Sequence, residues 1–115
     1  MLFSTNRLRK KKDFEAVLKN KQSQALAVSF LGVRFLENNL SKIRVGFVVS
    51  KKVSKKAVFR NKIKRQLREI VRPKIKNFQQ GVDLIIFAKP EILGKDFAEI
   101  KKVVDIIFQK AGIGK

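Results

Sequence analysis

Phe14, Val17 and Leu18 stand at i, i+3 and i+4 within Lys10–Lys19, a narrow apolar stripe that predicts a short basic helix. From Leu26 to Leu36, Val28, Phe30, Leu31, Val33 and Phe35 make a β-rich run. A second run covers Ile43–Ser50, with Val45, Phe47 and Val49 on one face. Glu37-Asn38-Asn39-Leu40-Ser41 between them is turn-like, so the two runs are expected to pair as an antiparallel hairpin. Val58–Lys76 carries Phe59, Ile63, Leu67, Ile70 and Val71 as a helical stripe, with Pro73 interrupting or ending the helix. After Gly81, Val82–Ala88 reads as a mostly buried strand stopped at Pro90. A last helix over Asp96–Lys110 turns Phe97, Ile100, Val104, Ile107 and Phe108 inward, with Asp96 suited to cap its start and Gly112 to end it.

The order helix, strand, strand, helix, strand, helix predicts an α/β (α+β) two-layer sandwich, helices against one sheet, whose strand order the pattern does not reveal. With no repeat, low-complexity tract or linker, residues 1–115 read as a single domain. A chain of this size buries roughly 60–70% of its unfolded surface, enough for one core. Apolar residues make up 44% of it, ten of them Phe, so the chain is expected to fold.

Charge changes the picture most. Twenty-eight Lys and Arg face nine Asp and Glu, a net +19. Such a body repels itself unless a polyanion neutralises it, which points to nucleic acid or an anionic membrane. The chain has no cysteine and no histidine, which removes disulfides, thiolate or imidazole metal sites and the commonest general base. Basic residues break the start before a signal-length apolar stretch develops, and no segment approaches the roughly 20 apolar residues of a membrane span. The expectation is a soluble, cytoplasmic protein.

The charge is concentrated. Between Lys51 and Lys76 twelve basic residues face one acid, Glu69, so more than half of the net charge lies in 26 residues. Asn61, Lys64, Arg65, Arg68 and Arg72 fall on the side of the predicted helix opposite its apolar stripe. A solvated face usually mixes signs, whereas a face of one sign suits a row of phosphates. Arg60, Arg65, Arg68 and Arg72 have the planar fork that fixes a phosphate in place. Lys51, Lys52, Lys55, Lys56, Lys62 and Lys64 supply mobile charge. Asn61 suits a nucleotide or a hydrated metal ion beside a phosphate, with a helix cap as the alternative.

The segment Val45-Gly46-Phe47-Val48-Val49-Ser50-Lys51-Lys52-Val53-Ser54-Lys55-Lys56-Ala57-Val58-Phe59-Arg60-Asn61-Lys62-Ile63-Lys64-Arg65-Gln66-Leu67-Arg68-Glu69 closely resembles the signature of the bacterial ribonuclease P protein family. It has the strand, the Ser-Lys-Lys turn, the Lys-Ala-Val approach and the helix opening of that pattern. Lys62 departs from it, since the family usually has Arg there; the charge stays and the fork is lost. Elsewhere the likeness is looser: Asp13-Phe14 with Val17 resembles the first helix, although Leu18 and Lys21 replace a usual aromatic and Gly. Val82–Pro90 resembles the last strand.

The resemblance implies a mainly antiparallel sheet with a left-handed strand-helix-strand crossover, against the strong right-handed prior. It implies a protein subunit that is not the catalyst, binding a ribonuclease P RNA that cleaves the 5′ leader from precursor tRNA with Mg²⁺ held mainly by the RNA. Neither DNA nor membrane is expected as a partner. The basic helix would contact the RNA subunit, Arg65 and Arg68 through a shared outward face. A cleft between sheet and helices would hold the single-stranded leader, with aromatic faces and cations as the means. Phe14 and Phe30 match the family's aromatic positions and are the cleft candidates, with burial in the core as the alternative for each. Three other readings compete: a different RNA-binding module such as a ribosomal protein, an autonomous nuclease, and a membrane-surface helix. The acids are scattered among elements rather than paired for a metal, and the first helix has too narrow an apolar stripe for a membrane surface.

Overall fold

The computed structural model describes residues 7–8, 10–40, 42–76 and 80–112. The chain order is α1 (Lys11–Lys19), β1 (Gln24–Val28), β2 (Leu31–Glu37), β3 (Ile43–Val48), α2 (Ala57–Ile75), β4 (Val82–Ala88), a short 3-10 turn at Pro90–Ile92, and α3 (Phe97–Ala111). Four strands form one mixed sheet in the order β1-β2-β4-β3. β1 with β2 and β2 with β4 are antiparallel, and β3 with β4 is parallel. This is the α+β sandwich of helices on a mainly antiparallel sheet that the sequence predicts.

Two pairings differ from expectation. The run Leu26–Leu36 is two strands, not one: Val28 pairs with Leu31 across a turn at Ser29 and Phe30, with Ser29 in the left-handed region at φ 52°. No Gly, Asn or Pro marks that turn, so the apolar run hides it. The expected hairpin between β2 and β3 is absent as well. β4 lies between them, and α2 is the crossover that brings the chain back parallel to β3. Insertion at the centre explains why β4 is apolar except at Asp83: Val82–Ile86 is buried on both faces.

Alternation along the strands divides the side chains between two cores. Leu31, Val33, Ile43, Val45, Leu84 and Ile86 pack under Leu67, Ile70, Val71, Ile100, Val104 and Ile107 of α2 and α3. On the opposite face Ile85 packs with Leu8 and Val17, and Phe14 of α1 lies against this smaller cluster. Asp83 is the polar exception on that face. Its carboxylate accepts from Arg44 Nε at 2.9 Å and Nη2 at 2.7 Å, and from Asn38 Nδ2 at 2.7 Å. Arg44 faces Asp83 in the β3–β4 register and also reaches Asp13 at 3.6 Å, so one guanidinium ties α1 to the sheet. The Asp83 hydrogen bond holds the Arg44 guanidinium above its ordinary pKa, outweighing the opposite effect of burial.

The helix ends follow local rules. Asp96 and Glu99 form a capping box, with Asp96 Oδ1 accepting from the Glu99 amide at 2.8 Å, and Gly112 closes α3 at φ 71°. Pro73 does not stop α2. It sits in the last turn, and burial of Val71 and Ile75 carries the helix through it.

Candidate nucleic-acid interface

The loop 49–56 between β3 and α2 is pinned by one apolar plug. Val53 is buried, and its amide donates to the Ser50 carbonyl at 3.0 Å. The Ser50 and Ser54 hydroxyls accept from the Lys52 and Lys56 amides at 3.3 and 3.2 Å. With its backbone held inward, the loop leaves Lys51, Lys52, Lys55 and Lys56 exposed. Arg60 has a different role from the one its type suggests. It is half-buried and donates to the Ser54 carbonyl at 3.0 Å, bracing this loop against α2.

Along α2 the core stripe is Ile63, Leu67, Ile70, Val71 and Ile75. Asn61, Lys62, Arg65 and Arg72 are exposed, while Lys64 and Arg68 are half-buried. The cap alternative for Asn61 is removed, because the N-cap is Lys56, five residues earlier. Arg65 and Arg68 do not share one environment: Arg65 points outward, whereas Arg68 turns into a cleft of about 180 Å³ at the edge of β3.

That cleft joins Phe14, Phe47, Arg7, Lys64 and Arg68 over Gly46. Its geometry depends on Gly46, where a Cβ would run into the Phe14 ring, so the missing side chain lets α1 lie close to β3. Arg7 bridges in parallel to Val45, and the Leu8 amide donates to the Val45 carbonyl at 2.9 Å, closing the strand edge. Burial lowers the Arg68 pKa from its ordinary value, and the charges of Arg7 and Arg65 lower it further. Among the described residues Arg7, Lys64 and Arg68 form no ion pair. A half-buried cationic cluster without a carboxylate is the electrostatic counterpart of a phosphate.

Of the two aromatic candidates, only Phe14 lines this cleft. Phe30 is 4% exposed in the large core on the other face, and its carbonyl accepts from Lys89 at 2.9 Å, so it offers no surface to a base. Sequence reasoning missed Phe47 and Arg7. Phe47 alternates with Val45 and so resembles a core residue; it is only partly buried against the large core, near the end of β3, and also lines the cleft. Nothing local marks Arg7, which reaches the cleft only through its pairing with β3.

Among the described residues no three acidic, His or Cys side chains gather as a metal site. Asp83 is taken up by Arg44 and Asn38, Asp96 and Glu99 by their cap, and Asp105 by Lys74 and Lys101. No helix among these residues is long and apolar enough to cross a membrane.

Fold and surface together define a small, strongly basic α+β protein with a cationic helix face and a cationic cleft at its sheet edge. The family described as Ribonuclease P matches residues 2–112, and the chain belongs to this family. The ribonuclease P protein component of Dictyoglomus turgidum is 36% identical, the match covering 95% of this chain and 91% of that protein. That of Alkaliphilus oremlandii is 37% identical over 94% and 92%. Among solved structures, the Staphylococcus aureus RNase P protein superposes with a TM-score of 0.85 at 27% identity, covering 96% of this chain and 98% of that one. The Thermotoga maritima RNase P protein gives 0.79 at 28%, covering 90% and 96%.

Proposed function

We propose that this chain is the protein subunit that binds the ribonuclease P RNA and holds the 5′ leader of precursor tRNA, promoting its removal by the RNA. The observation that carries this reading is the cleft at the β3 edge, where two aromatic rings and three cations converge. Base faces stack on Phe14 and Phe47 whatever their sequence, and Lys64 and Arg68 take the adjacent phosphates. The exposed side of α2, with Asn61, Arg65 and Arg72, and the lysines at 51, 52, 55, 56 and 62, lie against the RNA subunit. Arg68, turned into the cleft, serves the leader instead.

The chain contributes no catalytic group in this scheme. Mg²⁺ belongs to the RNA, whose phosphates supply the oxygen ligands it prefers. A cytoplasmic site of action fits the same reading. The test is cleavage of precursor tRNA at low Mg²⁺ and moderate salt, with the protein alone, a bacterial ribonuclease P RNA alone, and both together. Cleavage at the mature 5′ end only in the mixture is expected. RNA binding without any enhancement of cleavage would favour a general RNA-binding role and sink the proposal.

A further inference from the structure

A second recess lies on the other flank of α2. At about 100° per residue, Lys64 and Arg68 face the β3-edge cleft, Asn61, Arg65 and Arg72 face outward, and Phe59, Lys62, Ile63 and Gln66 form the far flank. That far flank and the start of α3 enclose a groove of about 790 Å³, several times the volume of the cleft. Its apolar surface comes from Phe59, Ile63, Leu93 and Phe97. Phe59 and Phe97 read in the sequence as inward residues of their helices, yet they are 46% and 45% exposed, and Leu93 is 48% exposed. Three large apolar side chains left open around one groove are a surface awaiting a partner.

The rim identifies the partner's chemistry. Lys55, Lys56, Lys62 and Lys95 line the groove; Lys95 pairs with Glu99 at 3.9 Å, and the one acid of the lining, Asp96, uses its carboxylate to cap α3. The Lys56 ammonium lies over the Phe59 ring, 5.6 Å from its centroid, so a cation and an aromatic face stand together at the rim. A ligand with a flat aromatic body and negative charge beside it satisfies both features, and an unpaired nucleotide is such a ligand. A second copy of this chain does not, because two bodies of net +19 repel. The groove is also continuous with the outward face of α2, where the RNA subunit lies in the function proposed above.

We propose that the groove between α2 and α3 takes an unpaired, extruded nucleotide of the ribonuclease P RNA, its base stacked on Phe59 and Phe97 and its phosphates held by the surrounding lysines. This rests on the proposed function but concerns a site separate from the leader cleft. Both phenylalanines are half exposed, so replacing them does not empty the core.

The experiment compares wild type with Phe97→Ala, Phe97→Leu and Phe59→Leu for binding to ribonuclease P RNA and, separately, to a short single-stranded leader oligonucleotide. Circular dichroism and melting confirm the fold, and the Leu variants keep apolar area while removing the ring. Affinity for ribonuclease P RNA should fall about 10-fold in Phe97→Ala, with Leu restoring only part, while leader affinity stays unchanged. Wild-type affinity for ribonuclease P RNA in all three folded variants would overturn the site. Equal losses on both RNAs would overturn its assignment to the RNA subunit. If wild type bound the leader but not ribonuclease P RNA, the function proposed above would itself have failed; saturation of the groove by an acidic amphipathic peptide rather than RNA would overturn the nucleotide reading.

Discussion

Arg68 is held where its own charge is disfavoured, since burial and two like charges oppose it in the free protein. Removing that charge should therefore cost the fold little while costing the complex a charge-assisted contact. In Arg68→Ala, urea unfolding should give a stability equal to or above wild type, and affinity for a single-stranded leader should fall about 10-fold or more. Arg68→Lys should recover only part of the loss, because a point charge replaces a planar fork. Unchanged leader affinity in a folded Arg68→Ala would remove Arg68 from the site. At this scale the sequence is legible where a residue's place follows from its helix face: Arg65 and Arg72 stand exposed opposite the apolar stripe, whereas Arg68 on the same side turns into the cleft. It misleads where identity is all there is. Phe14 and Phe30 look alike as aromatics near a basic segment, and only the packing separates them, placing Phe14 of α1 on one face of the sheet and Phe30 of the β1–β2 turn in the large core on the other. Arg60 has the expected chemistry but spends one nitrogen on the Ser54 carbonyl.

Elements with their own punctuation are where sequence and structure agree best. α3 carries a capping box at Asp96 and a left-handed Gly112, and both ends fall within a residue or two of those expected. The turn at Ser29 and Phe30 has no such mark, so the sequence pattern shows one run where the structure has two strands. The place of β4 between β2 and β3 was not legible either, because strand pairing is decided by packing of α2 and not by local pattern. The link between α2 and α3 is a charge pair: the Lys74 ammonium meets Asp105 Oδ1, and Lys101 meets Oδ2 at 3.0 Å. Burial pushes the Asp105 carboxyl up, but the hydrogen bonds and charges of Lys74 and Lys101 outweigh it and hold the pKa below the ordinary 3.8. A depressed folded pKa stabilises above the unfolded value, and this contribution is lost as the pH falls through the folded one. Asp105→Asn should therefore be less stable than wild type at neutral pH, by a modest amount since the pair is solvent-screened. The gap should close in acid below about pH 4. Urea unfolding of both proteins at neutral and acid pH measures it; a gap that stayed constant would show that the ion pair contributes nothing.

For the whole molecule, the fold concentrates charge that the sequence only counts. The net +19 predicts a polyanionic partner whatever the fold. Folding adds direction: it gathers Arg7 from before α1 and Lys64 and Arg68 from α2 at one strand edge, with the lysines of the loop before α2 on the same body. Such a surface should respond to salt in opposite ways before and after binding. In the free protein the dominant effect of like charges is repulsion, so raising salt through the physiological range screens it and should raise Tm. In the complex each neutralised phosphate has released counterions, so the same salt should weaken binding. If about six phosphates of a single-stranded leader are engaged, log K should fall against log salt with a slope of roughly −4. Melting of the protein alone and titration of a leader oligonucleotide over one salt series measure both. A slope near zero would mean that the leader is held by stacking on Phe14 and Phe47 without its phosphates, and a Tm that fell with salt would mean that the cations are paired within the protein. Opposite signs in the two measurements would identify the cationic surface as one kept unneutralised by the fold and completed by RNA.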